Sequence, residues 1–182
     1  MNQEIQQPTI ETERLTLSPV LISDLPHIFE YASDPEVARH VTWPPHKDLE
    51  DSRKLLEWIE KTHNTTRGAI FFVWAIRLKS AGNKMIGTID FKQPVSHIGR
   101  FDYAMGKSYW NKGLMSEAAQ AVKNWSFSEL PELVRFEARA IAENTGSRKV
   151  MEKTGLQYEG TFRKQLNNKG TLVDIVCYAE IR

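Results

Sequence analysis

The chain has 182 residues, 41% hydrophobic and 26% charged, which suits one ordinary globular domain with a sizeable core. Lysine plus arginine number 24 against 23 for aspartate plus glutamate, a formal charge of +1. That balance argues against nucleic-acid binding through a broad basic face, although it allows a local basic patch around an anionic cofactor. In chain order, residues 1–10 are polar and read as a flexible tail, leaving 11–182 as a single domain.

Residues 14–18 alternate as a first strand. Ser23 is placed to cap a helix whose apolar stripe is Leu25, Ile28, Phe29 and Ala32, ending near Asp34-Pro35. A rigid extended loop carries Trp43 ahead of Pro44 and Pro45, and Asp48 caps a longer helix with Leu49, Leu55, Leu56, Trp58 and Ile59 facing inward. Residues 69–78 and 84–91, joined by a turn at 80–83, predict a hairpin, and a third strand runs over 97–105. A helix over 113–127 follows, with Leu114, Ala118, Ala121, Val122 and Trp125 at helical spacing. Residues 133–140 alternate as a strand, 144–153 predict a short helix closed by Gly155, and 156–181 predict a hairpin turning at 167–170. The sum is an α+β domain, a mostly antiparallel sheet of six to seven strands interrupted by helices.

Cys177 is the single cysteine, so neither an intrachain disulfide nor a cysteine zinc cluster is available, and its alternating surroundings predict a buried small hydrophobe. The five histidines show no metal-ligand spacing, and no metal is expected. No apolar stretch approaches membrane-spanning length and the start does not resemble a signal peptide, so a cytoplasmic protein with no membrane partner is expected.

Two stretches could hold phosphate. Gly106-Lys107-Ser108 ends like a nucleotide-triphosphate loop, but the first glycine such a loop requires falls on Phe101, and no helix starts directly after Ser108. The second has better mechanics: a strand leads into a helix opening at Gly113, so the free amides of Lys112, Gly113, Leu114, Met115 and Ser116 face one point, where the helix dipole adds positive potential. Downstream, Asn144-Thr145-Gly146-Ser147 precedes another helix and a Gly155-Leu156 step.

The run from Tyr109 to Ala118, then Asn144-x-x-Ser147 and the Gly-apolar step, resembles the GNAT acetyltransferases. The segments at 12–19 and 33–37, and the closing Gly160-x-x-Arg163 and Gly170-x-x-x-Asp174, are similar to the RimJ/RimL-like branch of ribosomal-protein N-terminal acetyltransferases. The resemblance implies a mixed sheet that splays near the cofactor site, and an acetyl-CoA-dependent N-acetyltransferase working by direct amine attack in a ternary complex. It places the phosphate loop over Trp110, Asn111, Lys112, Gly113, Leu114, Met115 and Ser116. Trp110 stands where relatives have Gln or Arg, and Met115 where they have a small residue. It also implies that the pantetheine arm lies along Tyr103, Ala104 and Met105 as an added strand, with the acetyl carbonyl on an amide near Met105. Asn144 would hold the pantetheine, and the Ser147 hydroxyl would protonate the departing thiolate; read locally, Asn144 simply caps a helix and Ser147 is a small first-turn residue.

Many relatives carry a glutamate at the position of Arg100, so Asp102, two residues on along the same strand face, is the substitute base, with Asp90, Glu137 and Glu143 as other acidic candidates. Trp43 is the expected acceptor contact. By resemblance the acceptor is the N-terminal α-amine of a ribosomal or other protein. A small amine such as a polyamine, amino acid or aminoglycoside is the alternative, as is a non-catalytic acyl-CoA-binding protein. Edge strands in the terminal hairpin allow a homodimer.

Overall fold

The computed structural model describes residues 5–65 and 70–182; the expected strand start at residue 69 lies outside them. The described strands, in chain order, are β1 (Ile10–Glu11), β2 (Leu15–Pro19), β3 (Phe71–Leu78), β4 (Lys84–Val95), β5 (Ile98–Arg100), β6 (Tyr103–Met105), β7 (Arg135–Ile141), β8 (Gln157–Asn168) and β9 (Thr171–Ile181). They form one sheet in the order β1-β2-β3-β4-β5-β7-β9-β8, with β6 paired to β4 alone. Every pairing is antiparallel except β5 with β7. Nine strands exceed the expected six to seven because the two-residue β1 carries no alternation to read, and the expected third strand divides into β5 and β6.

The helices are α1 (Leu25–Ala32), α2 (Pro35–Ala38), α3 (Leu49–Thr65), α4 (Leu114–Glu129) and α5 (Thr145–Lys153). One face of the sheet packs Leu15, Trp74, Ile86, Ile89, Phe91, Phe101 and Phe136 against Leu114, Met115, Ala118 and Val122 of α4 and Met151 of α5. The other face buries Ala75 and Met85 under Leu25, Ile28 and Tyr31 of α1, Val37 of α2 and Leu56 of α3. Burying each large apolar side chain contributes about 1.5–3 kcal/mol, so these two clusters hold the layers together. Trp125 of α4 anchors the first by edge contacts with Trp74 at 5.4 Å and Phe91 at 5.6 Å.

Several local expectations shift. The α1 N-cap is Asp24 rather than Ser23; its carboxylate accepts from the Leu21 amide and pairs with Arg77, a fixed neighbour that Ser23 lacks. Leu49 and Trp58 stay exposed, because α3 turns only part of its apolar stripe to the sheet. Within the segment expected to be a loose tail, Gln7 donates to the Val73 carbonyl at 2.8 Å and the Pro8 carbonyl accepts from the Trp74 indole at 2.7 Å. In the terminal hairpin the Asp174 carboxylate accepts from the Lys164 amide at 2.9 Å. At the tip of the β8–β9 hairpin, Lys169 and Gly170 both take positive φ, as a two-residue turn demands.

Candidate active site

The sheet opens beside β6. Up to Arg100 the chain runs alongside β7, in the register Ile98↔Arg135 to Arg100↔Glu137. Phe101 stacks on Phe136 at 5.0 Å and its amide still reaches the Glu137 carbonyl. From Tyr103 onward the chain follows β4 while β7 follows β9, leaving a wedge. The Asp102 carbonyl accepts from Asp90 and the Gly106 amide donates to Ile86, so even-numbered residues here turn their main chain toward β4. By antiparallel alternation, Tyr103 and Met105 turn theirs into the wedge. The Trp110 indole reaches the Met105 carbonyl from that side at 2.7 Å, leaving the Met105 amide and both Tyr103 groups facing outward.

The loop after β6 delivers the chain to the N-terminus of α4. Asn111 and Gly113 both take positive φ, 59° and 75°, and Gly113 is the helix N-cap. The first intrahelical bond is Glu117 N–H to the Gly113 carbonyl, so the amides of Leu114, Met115 and Ser116 have no intrahelical acceptor. Met115, which departs from the expected small residue, is buried in the core beneath, directed away from that cradle. Gly106-Lys107-Ser108 leads only into a single short 3-10 turn, and Phe101 is buried in the core, as expected of a strand residue rather than a phosphate-loop glycine.

A clamp that the local patterns did not reveal fixes this helix start. Glu117 accepts from the Thr12 hydroxyl at 2.6 Å, the Arg14 amide at 2.8 Å and the Arg14 guanidinium at 2.6 Å, while Arg14 Nη1 also donates to the Lys112 carbonyl at 2.9 Å. Burial alone would raise the Glu117 carboxyl, but these partners outweigh it and hold it below the usual carboxylate range. A lowered folded value means that this stabilisation is fully present above the unfolded value near 4.5 and is lost as pH falls through the lower folded one. Glu117→Gln is therefore expected to lose about 1–3 kcal/mol at pH 7. Thermal melts of both proteins should converge as the pH is lowered from 7 to 3; a gap that persists at acid pH would rule out charge as its origin.

Across the wedge, Asn144 caps α5 by accepting from the Ser147 amide at 3.0 Å. The local reading of Asn144 thus holds, and its amide nitrogen is left for other partners. Ser147 is half-buried in the first turn, and its carbonyl faces the Tyr103 hydroxyl at 3.4 Å. Tyr103 links the free edge of β6 to α5, and burial raises its phenol.

The acidic candidates separate by environment. Asp90 and Asp102 oppose each other on β4 and the β5–β6 connection; Asp102 pairs with Lys92, while the Asp90 carboxylate accepts from the Asp102 amide at 3.2 Å. Burial first, and the charge of Asp102 second, push the Asp90 carboxyl up to about 7 against the pull of Lys92. Glu137 is buried and gripped by Arg100 and Arg135, which overcome the burial cost and hold its carboxyl low, making it a structural anion. Trp43 lies 5.2 Å from the His46 ring and, like Ala104, packs against the core under α1; the described contacts do not bring it to the β6 edge. Among the described residues no group of His, Cys, Asp and Glu is arranged to hold a metal.

Residues 14–157 match the family described as Acetyltransferase (GNAT) domain. The chain belongs to the GNAT acetyltransferases. It is an N-acetyltransferase, like the curated relative named uncharacterized N-acetyltransferase p20 of Bacillus licheniformis, with which it shares 30% identity over 96% of each protein. A solved GNAT acetyltransferase from Bacillus anthracis superposes with a TM-score of 0.82 at 29% identity, over 96% of this chain and 98% of that one. RimL, the ribosomal L7/L12 alpha-N-protein acetyltransferase, solved in complex with coenzyme A, shares the fold with a TM-score of 0.81 at 22% identity, over 96% and 98%.

In this acetyltransferase the structure brings together the β6 edge, the start of α4 and the start of α5, the elements on which the cofactor and Ser147 expectations fell. Sequence reasoning missed the Thr12–Arg14–Glu117 clamp, whose partners are too far apart in the chain for any local signal. It named Asp90 only as one acid among several, because burial cannot be read from the residue itself. One signal was available: in β7 charged Arg135, Glu137 and Arg139 alternate with apolar Phe136 and Ala138, marking a central strand with one face uncovered by helix.

Proposed function

We propose that this acetyltransferase moves the acetyl group of acetyl-CoA to a primary amine, and that the amine is the N-terminal α-amine of a protein or peptide. The observation that carries the reading is the unpaired edge of β6, followed through the loop at 106–113 by a helix N-terminus with free amides. An extended pantetheine arm can hydrogen-bond to Tyr103 and Met105 as an added strand, and a pyrophosphate suits the amides of Gly113 to Ser116. The buried Met115 side chain leaves that cradle clear.

Acetyl-CoA supplies an activated thioester. The Met105 amide, already turned into the wedge, serves as donor to the acetyl oxygen as charge develops. The acceptor ammonium must shed a proton before attack; Asp102 receives it, with Asp90 behind as a carboxylate whose raised value suits transfer near neutrality. Ser147 protonates the departing thiolate, and the Asn144 amide nitrogen steadies the pantetheine. The likeness to RimL, an alpha-N-protein acetyltransferase, supports a chain terminus as acceptor. The retained Asn144-x-x-Ser147 pattern favours an enzyme over a mute acyl-CoA binder.

Titration of the protein with acetyl-CoA, followed by thiol release with peptides and with small amines, tests the reading. Binding followed by turnover of peptides supports it, turnover of polyamines or aminoglycosides alone overturns the acceptor, and absence of acetyl-CoA binding overturns the donor. Ser147→Ala should reduce kcat by about 10²-fold while leaving acetyl-CoA affinity within about twofold. Equal losses in both would mean that the hydroxyl holds the donor rather than protonating it.

A further inference from the structure

On the face away from α4 and α5, charged side chains of both signs line the wedge, and Arg139 is the least engaged cation among those around Glu137. Arg100 pairs with Glu137, so two residues further on Asp102 and Arg139 fall opposite each other where the strands part. Phe101 and Phe136 point into the core under α4, which sends Arg100, Asp102, Glu137 and Arg139 to the other face. Among the described strands, β3 and β4 supply the buried apolar residues of the α1–α3 core on that face, with Ala104 of β6 packed against it, so Arg100, Glu137 and Arg139 lie past its edge.

On the Asp102 bank, two carboxylates, Asp90 and Asp102, share Lys92. Around Glu137, three guanidiniums, Arg135 and Arg139 of β7 and Arg100 reaching across from β5, face the carboxylates of Glu137 and Glu159. Arg100 donates to Glu137 Oε1 through Nε at 2.8 Å, Arg135 engages both Glu137 and Glu159, and Arg139 Nη2 reaches the already occupied Glu137 Oε1 only at 3.5 Å. The Arg139 guanidinium sits over the Phe162 ring, 5.4 Å from its centroid, which orients the fork without consuming its donors. Its side chain is 38% exposed, half-open to a ligand.

We propose that Arg139, backed by Arg100, is an anion subsite of the acceptor pocket, so that the acceptor is an amine carrying a carboxylate close to the reactive nitrogen. The inference rests on the reading above, in which the amine arrives at Asp102. An amine held at Asp102 places a neighbouring carboxylate toward Arg139, where a planar fork binds it by two parallel hydrogen bonds. Two sources supply this chemistry: a peptide end whose first residue is acidic, or a free amino acid offering its own α-carboxylate.

The test uses acetylated products as ligands, so that binding is read without turnover. The protein, with and without CoA, is titrated calorimetrically with acetyl-Asp-Ala-amide against acetyl-Asn-Ala-amide, and with N-acetylglycine against N-acetylglycinamide. In at least one pair the acid should bind about tenfold or more tighter than its amide, roughly 1.4 kcal/mol. Arg139→Gln should bring that ratio close to one, and Arg139→Lys should keep part of it. The first pair responding assigns the acidic peptide end, the second the free amino acid. Equal affinities in both pairs, no binding of any of the four, or a ratio that survives Arg139→Gln would overturn the subsite. Failure of CoA itself to bind would instead sink the donor site, leaving the acid-against-amide comparison readable on the CoA-free protein.

Discussion

Replacing Gly87 by alanine is expected to cost about 3 kcal/mol of stability and most of the affinity for acetyl-CoA. Gly87 of β4 lies opposite Met105 of β6, and a Cβ built on it would stand 2.3 Å from the Ala104 carbonyl oxygen and 2.8 Å from the Met105 Cα. Both obstacles are backbone, so no rotamer change relieves the clash; β6 itself must move. That strand is held on one side only, and its displacement shifts the outward groups of Tyr103 and Met105 together. Gly160→Ala is the matched control, since its Cβ would meet nothing within 4 Å. Thermal melts and acetyl-CoA titrations of the two variants settle the matter. Wild-type affinity in Gly87→Ala would mean that the donor does not depend on the β6 edge.

Gly113→Asp should weaken acetyl-CoA binding at least a hundredfold while the fold survives. The backbone there has φ of 75°, which costs a side chain about 1 kcal/mol, and aspartate tolerates it better than most residues. A Cβ at this position would lie 3.5 Å from Arg14 Nη2, ordinary contact distance, and the new carboxylate could pair with that guanidinium. Its charge would nonetheless stand where a pyrophosphate should approach, cancelling the positive end of α4. Gly113→Asn has almost the same shape without the charge and should lose far less. Calorimetry on both separates the causes: equal losses would point to shape, and no loss in either would place the pyrophosphate elsewhere.

Much of the fold was legible because its elements carry strong local signals. The hairpins of β3–β4 and β8–β9 join strand-forming runs through turn residues, and α4 opens at a glycine that the helix start requires in a left-handed conformation. The division of the expected third strand was not legible, since nothing in Arg100-Phe101-Asp102-Tyr103 announces that one neighbour stays and another leaves; the parting is set by which strand each residue follows. Of the site, the cradle at Gly113 and the cap at Asn144 could be read from helix-start chemistry. The separation of Asp90 from Asp102, and the arrival of Arg100 at Glu137, depend on burial and on partners more than ten residues away along the chain. Nor does the sequence show that Met115, standing where relatives have a small residue, is rotated by the helix into the core.

The bond from the Arg14 amide to Glu117 spans 103 residues, and this has a consequence for how the protein is made. During synthesis Thr12 and Arg14 emerge long before the helix they must grip, so the start of α4 stays unclamped on the nascent chain until more than half of the chain has been made. Closing so wide a loop draws little reward until the intervening strands are paired. The ability to hold an acetyl donor should thus arrive late and all at once, with the closure of the sheet rather than with the appearance of the glycine that marks the site.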